Sequence, residues 1–142
     1  MPSHTPPEAF ETSLNEHQYR TFVNNMPLGV FRSTPDPGGK LIAVNPALAR
    51  IGGYDSPDEI IGLPAAHFYS NPADRAAFSH LILAEGNVSG IELQLKKKDG
   101  TPLWVSLSAH VTRAPDGSIQ YFDGTIEDIT ERKRTEEALR DS

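Results

Sequence analysis

The sequence predicts an α+β domain built on an antiparallel sheet, and three observations carry that expectation. First, two stretches of the C-terminal half alternate apolar and polar residues. Ile91, Leu93 and Leu95 alternate with Glu92, Gln94 and Lys96; Leu103, Val105, Leu107, Ala109 and Val111 alternate with Trp104, Ser106, Ser108 and His110. A period of two marks strands with one buried face. Second, Asp99-Gly100 and Asp116-Gly117 punctuate these stretches as hairpin turns. Third, the strands fall into two groups on either side of a run of helix starts, the arrangement of an α+β domain rather than of alternating βαβ units.

Taken in order, residues 1–14 read as a disordered lead-in with three prolines in the first seven positions, lacking the basic and apolar regions of a signal peptide. A domain is expected over 15–129. It opens with a helix around Asn15 to Asn25, on which Tyr19, Phe22, Val23 and Met26 follow helical spacing before Pro27 stops the run. "LGVFRST" and "KLIAVN" read as strands joined by the turn "PDPGG". Asn45-Pro46, Ser56-Pro57 and Asn71-Pro72 each place a capping side chain before a proline, which has no N–H to leave orphaned. Ser56 with Glu59 forms a capping box, and Asn71 with Asp74 approximates one. Gly52-Gly53 and Gly62 end two short helices; Gly86 ends a longer one over about Pro72 to Ala84, with Phe78, Leu81 and Ile82 as its apolar stripe.

The fifth strand, "SIQYFDGTIEDI", puts Phe122, Gly124 and Ile126 on one face and Tyr121, Asp123 and Thr125 on the other. It runs without a loop into a charged helix over 130–142, with Asp128 as N-cap and Glu131 at N3. That helix has only Ile129, Ala138 and Leu139 as aliphatic side chains and is marginal alone, so it is expected to continue beyond Ser142 in a longer protein.

Composition narrows the function. A net charge of −6 gives no electrostatic basis for nucleic-acid binding, and no apolar run reaches the length of a membrane span. With no cysteine, disulfides, thiolate catalysis and Cys-ligated metals are excluded, in keeping with a cytoplasmic location. No nucleophile elbow, phosphate loop or metal-ligand spacing occurs, so this stretch is not expected to be an enzyme.

The ending "GTIEDITERKRTEEAL", supported by "VNPALARIGGY", "SPDEIIG", "HFYSNPADRAAF" and "KKKDGTPLWVSLSAHVTRAPDGSI", resembles a PAS domain with its PAC motif, over roughly Glu16 to Arg140. The resemblance implies a five-stranded antiparallel sheet of order 2-1-5-4-3, with short helices on one face, a small cavity between them, and flanking N- and C-terminal helices. It also implies a sensory module of a bacterial-type signalling protein, such as a two-component system. The module would pass a signal through the C-terminal helix to an effector of the histidine kinase or diguanylate cyclase type.

Within that frame the candidate cavity residues are Leu95, Val105, Leu107, Phe122, Gly124, Ile126, Phe78 and Ile82, and the candidate relay is Asp128, Ile129, Thr130 and Glu131. An aliphatic wall at Leu95, Val105 and Ile126 suits an apolar small ligand or plain core, whereas flavin-binding relatives present amides there. Flavin–cysteinyl photochemistry is excluded by the absence of cysteine. Haem is not expected: His80 lies about 200° around the helix from Phe78, which leaves His67 as the one candidate cofactor ligand. No particular cofactor is assigned. Trp104 beside Tyr121 and Phe31 or Val30 suggests an apolar patch on the outer face, and a homodimer is expected through that face and the N-terminal helix. Lys96, Lys97 and Lys98 read as a solvated turn. Two other readings stay open, a ligand-free dimerisation module and a haem-based gas sensor.

Overall fold

The computed structural model describes residues 17, 18, 21, 22, 28–36 and 38–141. The expected lead-in lies outside these residues, as does most of the expected first helix, including Tyr19, Val23 and Met26; His17, Gln18, Thr21 and Phe22 are helical.

Five strands form one antiparallel sheet: β1 (Gly29–Ser33), β2 (Leu41–Val44), β3 (Asn87–Lys96), β4 (Pro102–Arg113) and β5 (Ile119–Asp128). Their order is β2-β1-β5-β4-β3, as expected. The first and last parts of the chain therefore meet at the centre, where β1 pairs with β5 from Gly29↔Ile126 to Ser33↔Phe122. On β4, the residues Leu103, Val105, Leu107 and Ala109 are all buried, and the intervening residues are only half-buried. The period of two in the sequence is thus the period of burial.

Between β2 and β3 the chain crosses the inner face through α1 (Pro46–Gly52), 3-10 turns at Pro57–Glu59 and Ala65–Phe68, and α2 (Ala73–Glu85). The caps behave individually. Asn45 is 2% exposed; its Oδ1 accepts from the Leu48 N–H that opens α1 and from the Val30 N–H on β1, while its Nδ2 donates to the Leu28 carbonyl. One side chain thus caps a helix and fastens it to the sheet. Ser56 makes no cap bond, and Glu59 accepts instead from the Asp55 N–H, so a single 3-10 turn forms where a short helix was expected. Asn71 Oδ1 accepts from Ala73 N–H at 3.1 Å. Gly86, at φ 82°, closes α2 in the left-handed conformation, its N–H donating to the Ile82 carbonyl.

The buried face of α2 is Arg75, Phe78 and Ile82; Leu81 is 43% exposed, which corrects its place in the apolar stripe. Positions 75, 78 and 82 repeat at helical spacing, and Leu81 lies outside that row. Phe122, Ile82 and Val105 are the largest fully buried side chains, and the Phe78 and Phe122 rings meet edge-to-face at 5.7 Å.

The C-terminal helix, α3, spans Thr130–Asp141 and has no buried residue. It follows β5 through Ile129 alone, which is 3% exposed.

Candidate functional site

The inner face of the sheet and the crossing helices enclose an apolar cavity of about 70 Å³. This is space for roughly five water-sized atoms. The sheet contributes Phe31, Leu95, Leu103, Leu107 and Ile126; Leu48 and Ile51 come from α1, and Phe78 from α2. Tyr54 and Phe68, in edge contact at 6.0 Å, line it beside Gly52 where the wall is only half-buried. Two contacts fasten the rim there: Lys98 donates to Glu59 at 2.9 Å, and its backbone N–H to the Gly52 carbonyl. Lys98 stays exposed in the turn, as expected, and adds this ion pair to it. The contact with Lys98 holds the Glu59 carboxyl below its usual range.

Four of the expected cavity residues, Leu95, Leu107, Ile126 and Phe78, line this space. Val105, Phe122 and Ile82 are packed solidly beside it and do not line it. Gly124 does not line it either. A Cβ there would fall 2.9 Å from the Phe31 ring and 2.8 Å from Ala109 Cβ, besides striking the Ser108 carbonyl. The glycine is needed because Phe31, its cross-strand partner, lies across it. His67 is exposed, its ring edge-on to Phe68 at 5.1 Å, and is not among the lining residues; His80 is exposed, as its helical position implies. Among the described residues no cluster of His, Asp or Glu is arranged to hold a metal.

The polar lining residues that escaped the sequence reading are Ser33, Tyr69 and Arg75, which are 2%, 6% and 4% exposed, and Lys96, which ends β3 rather than lying in the turn. Burial pushes the Tyr69 phenol up to about 12, against the pull of the nearby Arg75 charge. Arg75 sits three residues before Phe78, so helical spacing alone places it inward; its charge hid it, because arginines are seldom buried unpaired.

The second half of the site is the junction of β5 with α3. Asp128 Oδ1 accepts from the Thr130 N–H at 2.9 Å, so Asp128 caps from two residues ahead of the helix. Glu131 pairs with Arg134 at 2.9 Å, and the expected capping box does not form. Instead the junction is stitched to β4. Ile129 N–H donates to the Trp104 carbonyl at 2.9 Å, and Trp104 N–H donates to Thr130 Oγ1 at 3.2 Å. Lys133 covers the Trp104 ring at 4.9 Å and reaches Glu92 of β3 at 2.7 Å, where Arg132 also binds. On the same outer face Arg32 stacks on Tyr121 at 4.1 Å while gripping Asp123 with two bonds. Phe31 points inward. The expected outer patch is therefore two separate aromatic rings, each under a cation.

A five-stranded sheet of this order, closed on one face over a small cavity and leading directly into an exposed helix, defines a class of sensory domain. The PAS domain family matches residues 27–131, and the chain belongs to that family. It is 33% identical over 112 residues to "Uncharacterized protein y4lL" of Sinorhizobium fredii, covering 77% of this chain and 13% of that protein. Over 123 residues it is 28% identical to the "Bacterioopsin transcriptional activator" of Halobacterium salinarum, covering 83% and 18%. Over 102 residues it is 32% identical to "Probable diguanylate cyclase DgcE" of Escherichia coli, covering 70% and 9%. The chain thus spans less than a fifth of each of these relatives. Among solved structures, a PAS domain from Colwellia psychrerythraea superposes with a TM-score of 0.70 at 19% identity, covering 81% of this chain and 97% of that one. An RNA-binding light-oxygen-voltage receptor superposes with a TM-score of 0.78 at 22% identity, covering 99% and 41%. At these identities the two structures bear on the fold alone. Among the described residues no helix is long and apolar enough to cross a membrane.

Proposed function

We propose that this domain is a cytoplasmic sensory module that takes a small ligand into the cavity and relays its presence through α3 to an effector. The observation carrying this reading is a pair of sequence adjacencies. Leu103 lines the cavity, and the next residue, Trp104, holds the junction by two hydrogen bonds. Ile126 lines the cavity, and two residues on Asp128 caps the helix. A ligand pressing on this wall displaces the strands that hold α3, and a strand–helix connection of one buried residue has no slack to absorb the shift. The relay residues are Asp128, Ile129 and Thr130, with Trp104 and Glu92 as their anchors on the sheet; Glu131 serves the helix itself.

The effector we favour is of the diguanylate cyclase or histidine kinase type, the first supported by likeness to the Escherichia coli protein. We further propose that two copies associate through the outer sheet face. That face carries a broad groove lined by Val30, Ala43, His110 and Thr125.

The test uses the chain's lack of cysteine. Single cysteines at Leu139, which is 71% exposed, and at exposed Ser89 accept spin labels without background. Mass spectrometry and an absorption spectrum of the purified protein identify any resident molecule. Adding or removing it should change the distance between the labels. An unchanged distance, with the cavity shown to be filled and then emptied, defeats the relay.

A further inference from the structure

Arg75 is the one arginine or lysine buried among the described residues. Its guanidinium rests about 5.6 Å from the Phe78 and Phe122 ring centres. It donates to Ser79 Oγ and, at a long 3.5 Å, to the Thr34 carbonyl. One end is wedged against the hairpin backbone, where a Cβ on Gly39 would come within 2.7 Å of Nη2. Among the described residues no carboxylate lies within ion-pair distance of it. The carboxylate whose charge reaches it, Asp36, is on the exposed hairpin. A guanidinium carries five N–H donors and stays charged even when burial opposes it. Its direct partners are two neutral oxygens and two aromatic faces, with no carboxylate among them.

Arg75 also lines the cavity, with Ser33 and Tyr69 as the other buried polar lining residues, exposed Lys96 as a second cation on the wall, and aliphatic side chains making up most of the surface. We propose that the cavity ligand is a short-chain monocarboxylate, its carboxylate held by Arg75 with Ser33 and Tyr69, and its alkyl end against Leu95, Leu107 and Ile126. The inference rests on the ligand-sensing reading and adds the chemistry of the ligand. Size and charge argue together. About 70 Å³ admits a molecule of only a few non-hydrogen atoms and no group the size of a flavin or a haem. A buried guanidinium favours a planar two-oxygen anion over a neutral group of the same size. The three polar residues come from β1, α2 and the segment after the second 3-10 turn, so the anion would bridge sheet and helices.

The test titrates ¹⁵N-labelled protein with sodium butyrate and separately with 1-butanol, a neutral probe of similar length. Butyrate should saturate, shift the amides of Ser33, Arg75, Leu95 and Ile126, and bind at least about tenfold tighter than butanol. Arg75→Gln should erase that preference, the two probes then binding alike. If the two probes bind wild-type protein equally, or Arg75→Gln keeps the preference, carboxylate recognition by Arg75 is wrong while the ligand cavity stands. If neither probe shifts the cavity amides, the proposal and the ligand reading fail together. Should Arg75→Gln fail to fold, the contrast between probes on the wild-type protein decides alone.

Discussion

Trp104 and Thr130, 26 positions apart in sequence, bind each other across the junction, the Trp104 N–H donating to Thr130 Oγ1 at 3.2 Å. The bond lies on β4 beyond its last paired residue with β5, Val105↔Asp128. Thr130 therefore extends the sheet's hydrogen bonding by one step into the helix. Thr130→Val keeps the shape and removes the acceptor. It should cost about 1 kcal/mol and speed hydrogen exchange at the Trp104 amide, with the central strands unaffected. Unchanged exchange there would remove Thr130 from the relay.

Asp128 works on the other side of the same turn, accepting the Thr130 N–H. Asp128→Ala should weaken α3 by about 1 kcal/mol, read as lost helicity in circular dichroism. Asp128→Asn, which keeps the acceptor, should restore most of it.

Glu92 binds both Arg132 and Lys133, and those contacts hold its carboxyl below the usual carboxylate range. A depressed value means that docking of α3 is complete above the ordinary carboxylate pKa and is lost as pH falls through the lowered one. Glu92→Gln should reproduce the low-pH state at neutral pH. In amide exchange, α3 should lose protection while β4 and β5 keep theirs, and high salt should imitate the substitution.

Asp123 shows the same sign in a more enclosed setting. Burial raises its pKa, but hydrogen bonds from Arg32 and Thr112 and the Arg32 charge outweigh burial and leave it lowered. Its stabilisation is present above the unfolded value of 3.8 and disappears as pH drops below it. Asp123→Asn should lower urea stability by about 1 kcal/mol at pH 7, a modest figure because Arg32 remains 41% exposed. The difference from wild type should close at the acid end of the titration.

Gly124→Ala would set a methyl group against Phe31, Ala109 and the Ser108 carbonyl in the middle of the sheet. Since one of these is backbone, repacking of side chains cannot relieve the clash. A loss of about 1–3 kcal/mol or more is expected in thermal or urea unfolding. Pairing it with Phe31→Leu should recover part of the loss.

The fold was legible because its determinants are local. Alternation on β4 and the Asp-Gly turns fixed strands and hairpins, and Gly86 fixed the end of α2. The site was half legible for a physical reason. Inward-facing positions such as Leu95, Leu107 and Ile126 follow from period two, but which of them borders empty space depends on how the crossing helices pack. Val105 and Phe122 share their faces and are simply filled over. Arg75 was hidden by the ordinary cost of burying a charge, although its spacing from Phe78 and Ile82 already placed it inside. The anchors Glu92 and Trp104 escaped because each meets its partners about 26 to 40 residues away in sequence, beyond the reach of any periodicity.

One consequence concerns how the domain can be watched. The chain holds a single tryptophan, and Trp104 lies at the root of the outgoing helix with the Lys133 ammonium over its ring. A cation over an indole alters its fluorescence, so any lifting of α3 changes the emission of the one indole present. The protein carries its own optical gauge at the hinge, and a stopped-flow trace of native, unlabelled material can time the first movement after a stimulus.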